Sequence, residues 1–206
     1  MTVVGLREST RTQLHERLLD AAQTITVDSG WASVTMAKIG FEVGVSRQTV
    51  YNEFGNKADL AAELVNRELG RFLDVVRVRL LAHHDVVAGL TDACNGALAM
   101  AQSSPLLRAA LDLTHNPTND LLPLLTTESQ VLIDTAVLTL ETVLDSHYPE
   151  IRPLGSELHL AADAIVRLML SHITRPAASP SVASAEMPSV ASAEIGWIAS
   201  HMLKRP

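Results

Sequence analysis

Cysteine occurs once in this chain, at Cys94. No intrachain disulfide can form, which fits a reducing, cytoplasmic setting and leaves the fold to be held by its core. Cys94 reads as a small buried residue on a helix, with a redox-sensing thiol as the other reading. Aromatics are also scarce, 3% of residues, although 47% are hydrophobic. Leu, Ala and Val carry that fraction, which favours helices over sheet, and no useful alternating strand pattern occurs. An all-α fold is expected. No apolar run approaches the ~20 residues that span a bilayer, and no signal peptide is read at the start. A membrane partner is therefore not expected. No metalloprotease pattern, phosphate-cradling glycine loop, nucleophile elbow or dinucleotide fingerprint is found. Neither enzymatic activity nor a cofactor is expected. Asp112 and His115, at i, i+3, and His159 and Asp163, at i, i+4, could each share a helical face. Neither pair gains a third ligand from nearby sequence, so no metal site is expected.

What the chain does contain is concentrated in residues 34–60, VTMAKIGFEVGVSRQTVYNEFGNKADL. The pattern predicts two short helices joined by a tight turn, with a third helix following at once. Such a unit lays its second helix in the major groove of DNA. Ile39, Val43, Val45, Val50 and Phe54 would hold the helices together. Gly44 supplies the turn residue that tolerates a left-handed backbone. Thr35 can cap the first of the two helices and Ser46 the second. Arg47, Gln48, Thr49, Tyr51 and Asn52 follow, side chains suited to reading base edges and gripping phosphates. Lys57, opening the next helix, is placed to hold a phosphate with the help of that helix's amides. The candidate DNA contacts are thus Thr35, Ser46, Arg47, Gln48, Thr49, Tyr51, Asn52 and Lys57. Arg7 and Arg11 either reach the DNA backbone or minor groove, or belong to a solvated arm.

The residues Thr35, Ile39, Gly44-Val45-Ser46, Thr49, Tyr51, Phe54, Lys57 and Leu60 resemble the helix-turn-helix signature of TetR-type (tetracycline-repressor-like) transcriptional regulators. The resemblance is specific over about residues 11–60. It departs from the usual pattern at Gly40 and Val43, where the family commonly has Ala, and at Arg47-Gln48, where a Gly often stands. Gly40 should cost about 1 kcal/mol of helix propensity against Ala. The resemblance implies an N-terminal three-helix helix-turn-helix DNA-binding domain and a C-terminal helical bundle for ligand binding and dimerisation. The connecting helix would transmit ligand binding to the reader as a tilt.

Along the chain the expectation is a flexible arm over 1–10, a DNA-binding domain over 11–57 with its helix-turn-helix at 35–54, and a ligand-binding and dimerisation domain over 58–206. Helices are expected at 11–28, 57–83, 86–103, 106–112, 120–148, 156–173 and 192–204. Between the last two lies a direct repeat, PSVASAE at 180–186 and again at 188–194. Its period is too short for a solenoid, and the segment 176–191 reads as a mobile linker.

The net charge is −7. Residues 1–60 hold six Lys or Arg against seven Asp or Glu. Affinity for DNA would therefore come from a few placed contacts multiplied by dimerisation, not from a basic field. One recognition helix covers few base pairs, so a homodimer on a two-fold symmetric operator is expected. Ile165, Leu168, Ile195, Trp197, Ile198 and Met202 lie on the apolar stripes of the last two helices. These stripes either pair with their copies as a four-helix bundle or cover the monomer's own core. Trp197 would sit there as an anchor or at the rim.

The resemblance also implies a cavity in the body. Between Asp85 and Thr174 the only aromatic is Tyr148, so a small apolar effector such as a fatty-acyl chain or hydrocarbon suits it better than a flat aromatic drug. Leu98, Met100, Leu107, Leu111, Leu132, Val137 and Met169 are candidate wall residues or ordinary core. Asn95, Asp112, His115 and Asn116 could orient a polar end. The resulting reading is a ligand-responsive DNA-binding regulator, a repressor released by its effector. The alternative is a helical module that binds or sequesters a small molecule and holds DNA weakly or non-specifically.

Overall fold

The computed structural model describes residues 3–111, 130–174 and 190–203. Every regular element among them is helical: α1 (Val3–Ser29), α2 (Met36–Val43), α3 (Arg47–Phe54), α4 (Lys57–Leu81), α5 (Val86–Ser103), α6 (Pro105–Leu111), α7 (Gln130–His147), α8 (Ser156–Thr174) and α9 (Val190–Met202). Short 3-10 turns cover Trp31–Ser33 and Pro149–Leu154. The all-α expectation holds, and the helix positions follow the apolar spacing to within a few residues. Two boundaries move. The first helix begins at Val3, so residues 3–10 are helical where an arm was expected. That stretch has no proline, and its single Gly5 lowers propensity without stopping a helix. The last helix begins at Val190, two residues early, with Ser192 fully buried. The rest of the expected linker, 176–189, and the calls on Asp112, His115 and Asn116 lie outside the described residues.

The chain divides into two compact units. The first holds α1–α3, the N-terminal part of α4 and α6. Its core is Leu18, Leu19, Ile25, Trp31, Ile39 and Val50. The boundary was expected at residues 57–58 but falls inside α4, between Glu68 and Leu69. The reason is visible in that helix: Leu60, Ala61, Leu64 and Val65 are all buried. Arg67 then donates to Glu16 Oε2 at 3.2 Å, Asp20 Oδ1 at 2.8 Å and Gln23 Oε1 at 2.7 Å, all on α1. α6 packs on α1, so Leu107, buried there, serves the first unit rather than a cavity in the second.

The second unit comprises the C-terminal part of α4 with α5, α7, α8 and α9. α9 packs on α5 and α8, and α8 packs on α7. Tyr148 is the largest fully buried side chain of the described residues. Its hydroxyl donates to Leu80 O at 2.7 Å, at the end of α4. Burial, with the Glu150 and Asp85 carboxylates adding to it, pushes the phenol up to about 12. The ring fits because α5 carries Gly89 opposite it. A Cβ there would collide with the Tyr148 hydroxyl. Gly96, about two turns on, likewise leaves room for the Arg79 side chain. Arg79 Nη1 reaches Asp92 Oδ1 at 2.6 Å, and His83 Nε2 lies 3.2 Å from Asp92 Oδ2. Cys94 is buried in the same core, and burial pushes its thiol up to about 12. It is a packing residue, and a thiol held protonated is a poor redox sensor.

Gly89→Ala should destabilise the chain although alanine is the better helix former. Overpacking costs about 1–3 kcal/mol, against a propensity gain of about 1 kcal/mol. Denaturant unfolding measures the balance; a variant more stable than wild type would refute this account of Tyr148.

Candidate nucleic-acid interface

The helix-turn-helix is built from local bonds. Thr35 Oγ1 accepts from Lys38 N at 3.1 Å and opens α2. Gly44 closes α2 in the left-handed region, at φ 80° and ψ 33°, where a side chain would be strained. Ser46 Oγ then accepts from Thr49 N at 3.1 Å and opens α3. Between the caps, Val45 N donates to Gly40 O at 2.8 Å. A Cβ on Gly40 would stand 2.8 Å from Val45 O and 3.3 Å from Arg47 N. The departure at Gly40 thus has a structural consequence. It lets the turn close onto α2 more tightly than alanine allows.

Ile39, Val50 and Phe54 are buried and Val43 and Val45 half-buried, as the sequence suggested. Packing of Val50 and Phe54 inward turns the opposite face of α3 to solvent. Arg47, Gln48, Tyr51 and Asn52 stand exposed on it, with Tyr51 at 46%. Gln48 Nε2 donates to Asn52 Oδ1 at 3.0 Å, so these two side chains are ordered together. The pair keeps a carboxamide oxygen on Gln48 and an amide on Asn52, the acceptor and donor types that base edges pair with. Thr49 is half-buried, and its hydroxyl shares a 2.9 Å hydrogen bond with Ser46 Oγ. Ser46 and Thr49 are therefore engaged in holding the start of α3. Gly55, at φ 77°, ends the helix, its amide donating to Tyr51 O at 2.8 Å.

Lys57 behaves differently from expectation. Its ammonium donates to Trp31 O at 2.9 Å and lies 4.9 Å from the centre of the Trp31 ring. That cation ties α4 to the turn after α1. Other cations are used in the same way. Arg17 Nη2 donates to Val43 O at 3.0 Å, satisfying a carbonyl at the end of α2. Arg11 Nε donates to Glu53 Oε2 at 3.4 Å, so this residue is paired with the reading helix. Lys38 and Arg47 are exposed. The sequence reading missed Asn56, whose Oδ1 accepts from Asp59 N at 2.9 Å and whose Nδ2 donates to Asp59 Oδ2 at 2.6 Å. Asn-x-x-Asp is the signal that could have revealed this start of α4. It also missed His15, 38 residues from its partner Glu53, for which no local signal exists.

The residues expected at a dimer face separate into two sets. Ile165 and Ile195 are buried in the core of their own unit, which corrects their placement on a pairing surface. Leu168 and Ile198 are half-buried against that core. A helix in a bundle covers its own core with a stripe about 100° wide, and these residues fall within it. Trp197 and Met202 lie outside it, and Trp197 is 64% exposed, stacked on His201 with centroids 4.3 Å apart. Leu160 on α8 is exposed to a similar extent, 65%. Of the candidate cavity residues, Val137 is core, while Asn95, Leu98, Met100, Leu132 and Met169 are half-buried. Leu111 is helical, but its side chain lies outside the described residues. His159 pairs with Glu141 at 3.0 Å and Asp163 with Arg167 at 2.8 Å. Among the described residues no three His, Cys, Asp or Glu gather as metal ligands, and no helix is long and apolar enough to cross a membrane.

Comparison with known proteins bears on both units. Residues 18–64 match the profile of bacterial regulatory proteins of the tetR family. Residues 85–193 match the C-terminal domain of the bacterial tetracyclin repressor. The chain is similar to the HTH-type transcriptional regulator AlkX of Mycobacterium tuberculosis, 29% identical over 170 residues, covering 82% of this chain and 79% of that protein. It is also similar to the crystal structure of the TetR family repressor AlkX from Dietzia sp. strain DQ12-45-1b, implicated in biodegradation of n-alkanes. That match has 30% identity and a TM-score of 0.71, over 90% of this chain and 93% of the other. The fold is shared with the fatty acid degradation regulator FadR of Bacillus halodurans, at 20% identity and a TM-score of 0.58, over 91% and 93% of the two chains.

Ser46→Ala removes the oxygen that caps α3. It should lower stability by about 1 kcal/mol, read by thermal or denaturant unfolding. A variant as stable as wild type would mean that the cap contributes nothing to the hold on α3.

Proposed function

The chain belongs to the TetR family of bacterial transcriptional regulators and is a DNA-binding regulator, and from that premise we propose a homodimeric repressor released from its operator by a small apolar effector. The observation that carries the DNA-reading half is the face of α3. Arg47, Gln48, Tyr51 and Asn52 stand out from a helix fixed by caps at both ends and by Val50 and Phe54 beneath. In this reading Arg47 and the Gln48–Asn52 pair meet base edges, and Tyr51 gives its hydroxyl to a phosphate. Thr35 and Ser46 present the amides of α2 and α3 to the backbone, and Lys57 supports α4 from behind while its charge favours a phosphate nearby.

A homodimer supplies the second reader, one helical turn of DNA away, about 34–36 Å. The exposed side chains of α8 and α9, Leu160, Trp197 and Met202, are the surface on which we place the partner copy. An exposed tryptophan is a common anchor of such contacts.

The effector half rests on the composition of the second unit. Its one aromatic between Asp85 and Thr174, Tyr148, is already committed to Gly89 and Leu80 O and offers no stacking face. Leu98, Met100, Leu132 and Met169, half-buried, are aliphatic or flexible and suit a chain-like ligand. Asn95, half-buried on α5, would orient its polar end. The relation to an n-alkane-linked AlkX repressor supports the same class. Release requires the effector to bind the two states unequally, since equal binding shifts nothing.

Footprinting on the DNA flanking the chain's own gene, with excess random competitor, tests the reading. A protected two-fold symmetric site is expected. Equal affinity for that duplex and for random duplex, with a steep salt dependence, would instead indicate a module that holds DNA only by charge. Arg47→Ala and Tyr51→Ala should abolish protection yet leave folding and dimerisation intact; undiminished protection by either removes that side chain from the interface. Addition of a medium-chain fatty acid or n-alkane should lift protection at concentrations where a flat aromatic of similar size does not, and the reverse order would overturn the apolar-chain assignment.

A further inference from the structure

His15 on α1 has a carboxylate at each ring nitrogen. Nδ1 is 3.0 Å from Glu53 Oε1, in the last turn of α3, and Nε2 is 2.8 Å from Glu63 Oε2 on α4. The ring also packs on Phe54, with centroids 4.9 Å apart. The side chains of His15 and Glu53 are largely withdrawn from water, at 24% and 14% exposure, so solvent screens their contact only in part. An ionised carboxylate accepts hydrogen bonds and donates none, and a neutral imidazole has a single N–H. The Nδ1 contact is a hydrogen bond and the Nε2 contact a close ion pair, and the two carboxylates are held at one ring favourably only while that ring is charged. The charged groups around it are Arg11 on α1, with Nε 3.4 Å from Glu53 Oε2, Glu53 on α3 and Glu63 on α4. Arg11 is itself largely exposed and its contact is long, so it is a weak substitute for the ring proton.

We infer that protonated His15 is a positioning residue for DNA reading, tying the end of α3 to both α1 and α4, and that it makes specific DNA binding pH-dependent. The inference rests on α3 being the reader. α3 has eight residues, about two turns, and little hydrogen bonding of its own to hold its axis. Loss of one ring proton turns a donor into a lone pair facing a carboxylate, and one of the two ties is broken. The tie to the second carboxylate is present while the ring is doubly protonated and is lost when rising pH removes one of its protons. Specific affinity should fall in the same direction.

The test uses full-length wild type, His15→Gln and Glu63→Gln between about pH 5.5 and 8.5 at fixed ionic strength. Two quantities are measured: thermal stability, and affinity for the duplex that the wild-type chain selects from a random-sequence pool at pH 6. Wild type should be more stable than His15→Gln at the acid end, with the gap closing toward the alkaline end. Its affinity should weaken by about fivefold over the range, the low end of ordinary site-to-site coupling. Glu63→Gln is the decisive variant. Its amide can donate to a neutral ring, so both ties persist without the second proton, and both pH profiles should flatten while the chain still folds. Equal pH slopes in all three proteins overturn the proposal, as does a stability gap that closes with no change in affinity. If wild type selects no duplex at any pH, the reading of α3 itself fails; if it selects one and the slopes agree, only the role of His15 fails.

Discussion

The contact on which the DNA-binding unit depends is the closure of the turn between α2 and α3 onto Gly40. Val45 N donates to Gly40 O across 2.8 Å, and no side chain stands between. That approach fixes how far α3 lies from α2 and therefore which of its residues face inward. With Val50 and Phe54 committed to the core, the remaining face can only be Arg47, Gln48, Tyr51 and Asn52. Gly44 and Ser46 act on the same few atoms. One allows the chain to reverse, and the other satisfies an amide that the reversal would leave orphaned. The reading surface is a consequence of backbone geometry before it is a matter of side-chain chemistry.

A second constraint is the use of charge. The chain carries −7 overall, and several of the cations near the reader are spent on internal bonds. Arg17 holds the end of α2, Lys57 holds Trp31, Arg67 holds three acceptors on α1, and Arg11 holds Glu53. Arg11 and Arg67 face carboxylates that offset their charge, while Arg17 and Lys57 donate to neutral carbonyls, which orients them and leaves their charge in place. Counterion release scales with the number of phosphates neutralised.

Much of this was legible in the sequence because it is local. Caps at Thr35 and Ser46 and the left-handed glycine at Gly44 are determined by residues three or four apart, and apolar stripes at helical spacing marked α4 and α8 within a few residues. What was not legible is long-range and polar. His15 meets Glu53 and Glu63, and Tyr148 meets Leu80, through pairings that leave no periodic trace. The function of Gly89 and Gly96 was equally hidden, since only the structure shows the Tyr148 and Arg79 side chains lying across them. For the stripes on the last two helices the sequence left pairing with a copy and covering the chain's own core as alternatives. Ile165 and Ile195 serve the core, and Trp197 and Leu160 lie outside it. Hydrophobicity alone does not tell a residue buried by its own chain from one left for a partner.

The helix α4 brings these strands together. Near its start Lys57, Leu60, Leu64 and Arg67 belong to the first unit, and near its end Arg79 and Leu80 are held by Asp92 and Tyr148 in the second. Each set of anchors is polar and directional, so neither end can slide without breaking a bond worth about 1 kcal/mol or more. Gly70, between them, is exposed, and a Cβ there would meet nothing. It lowers helix propensity by about 1 kcal/mol without a packing reason.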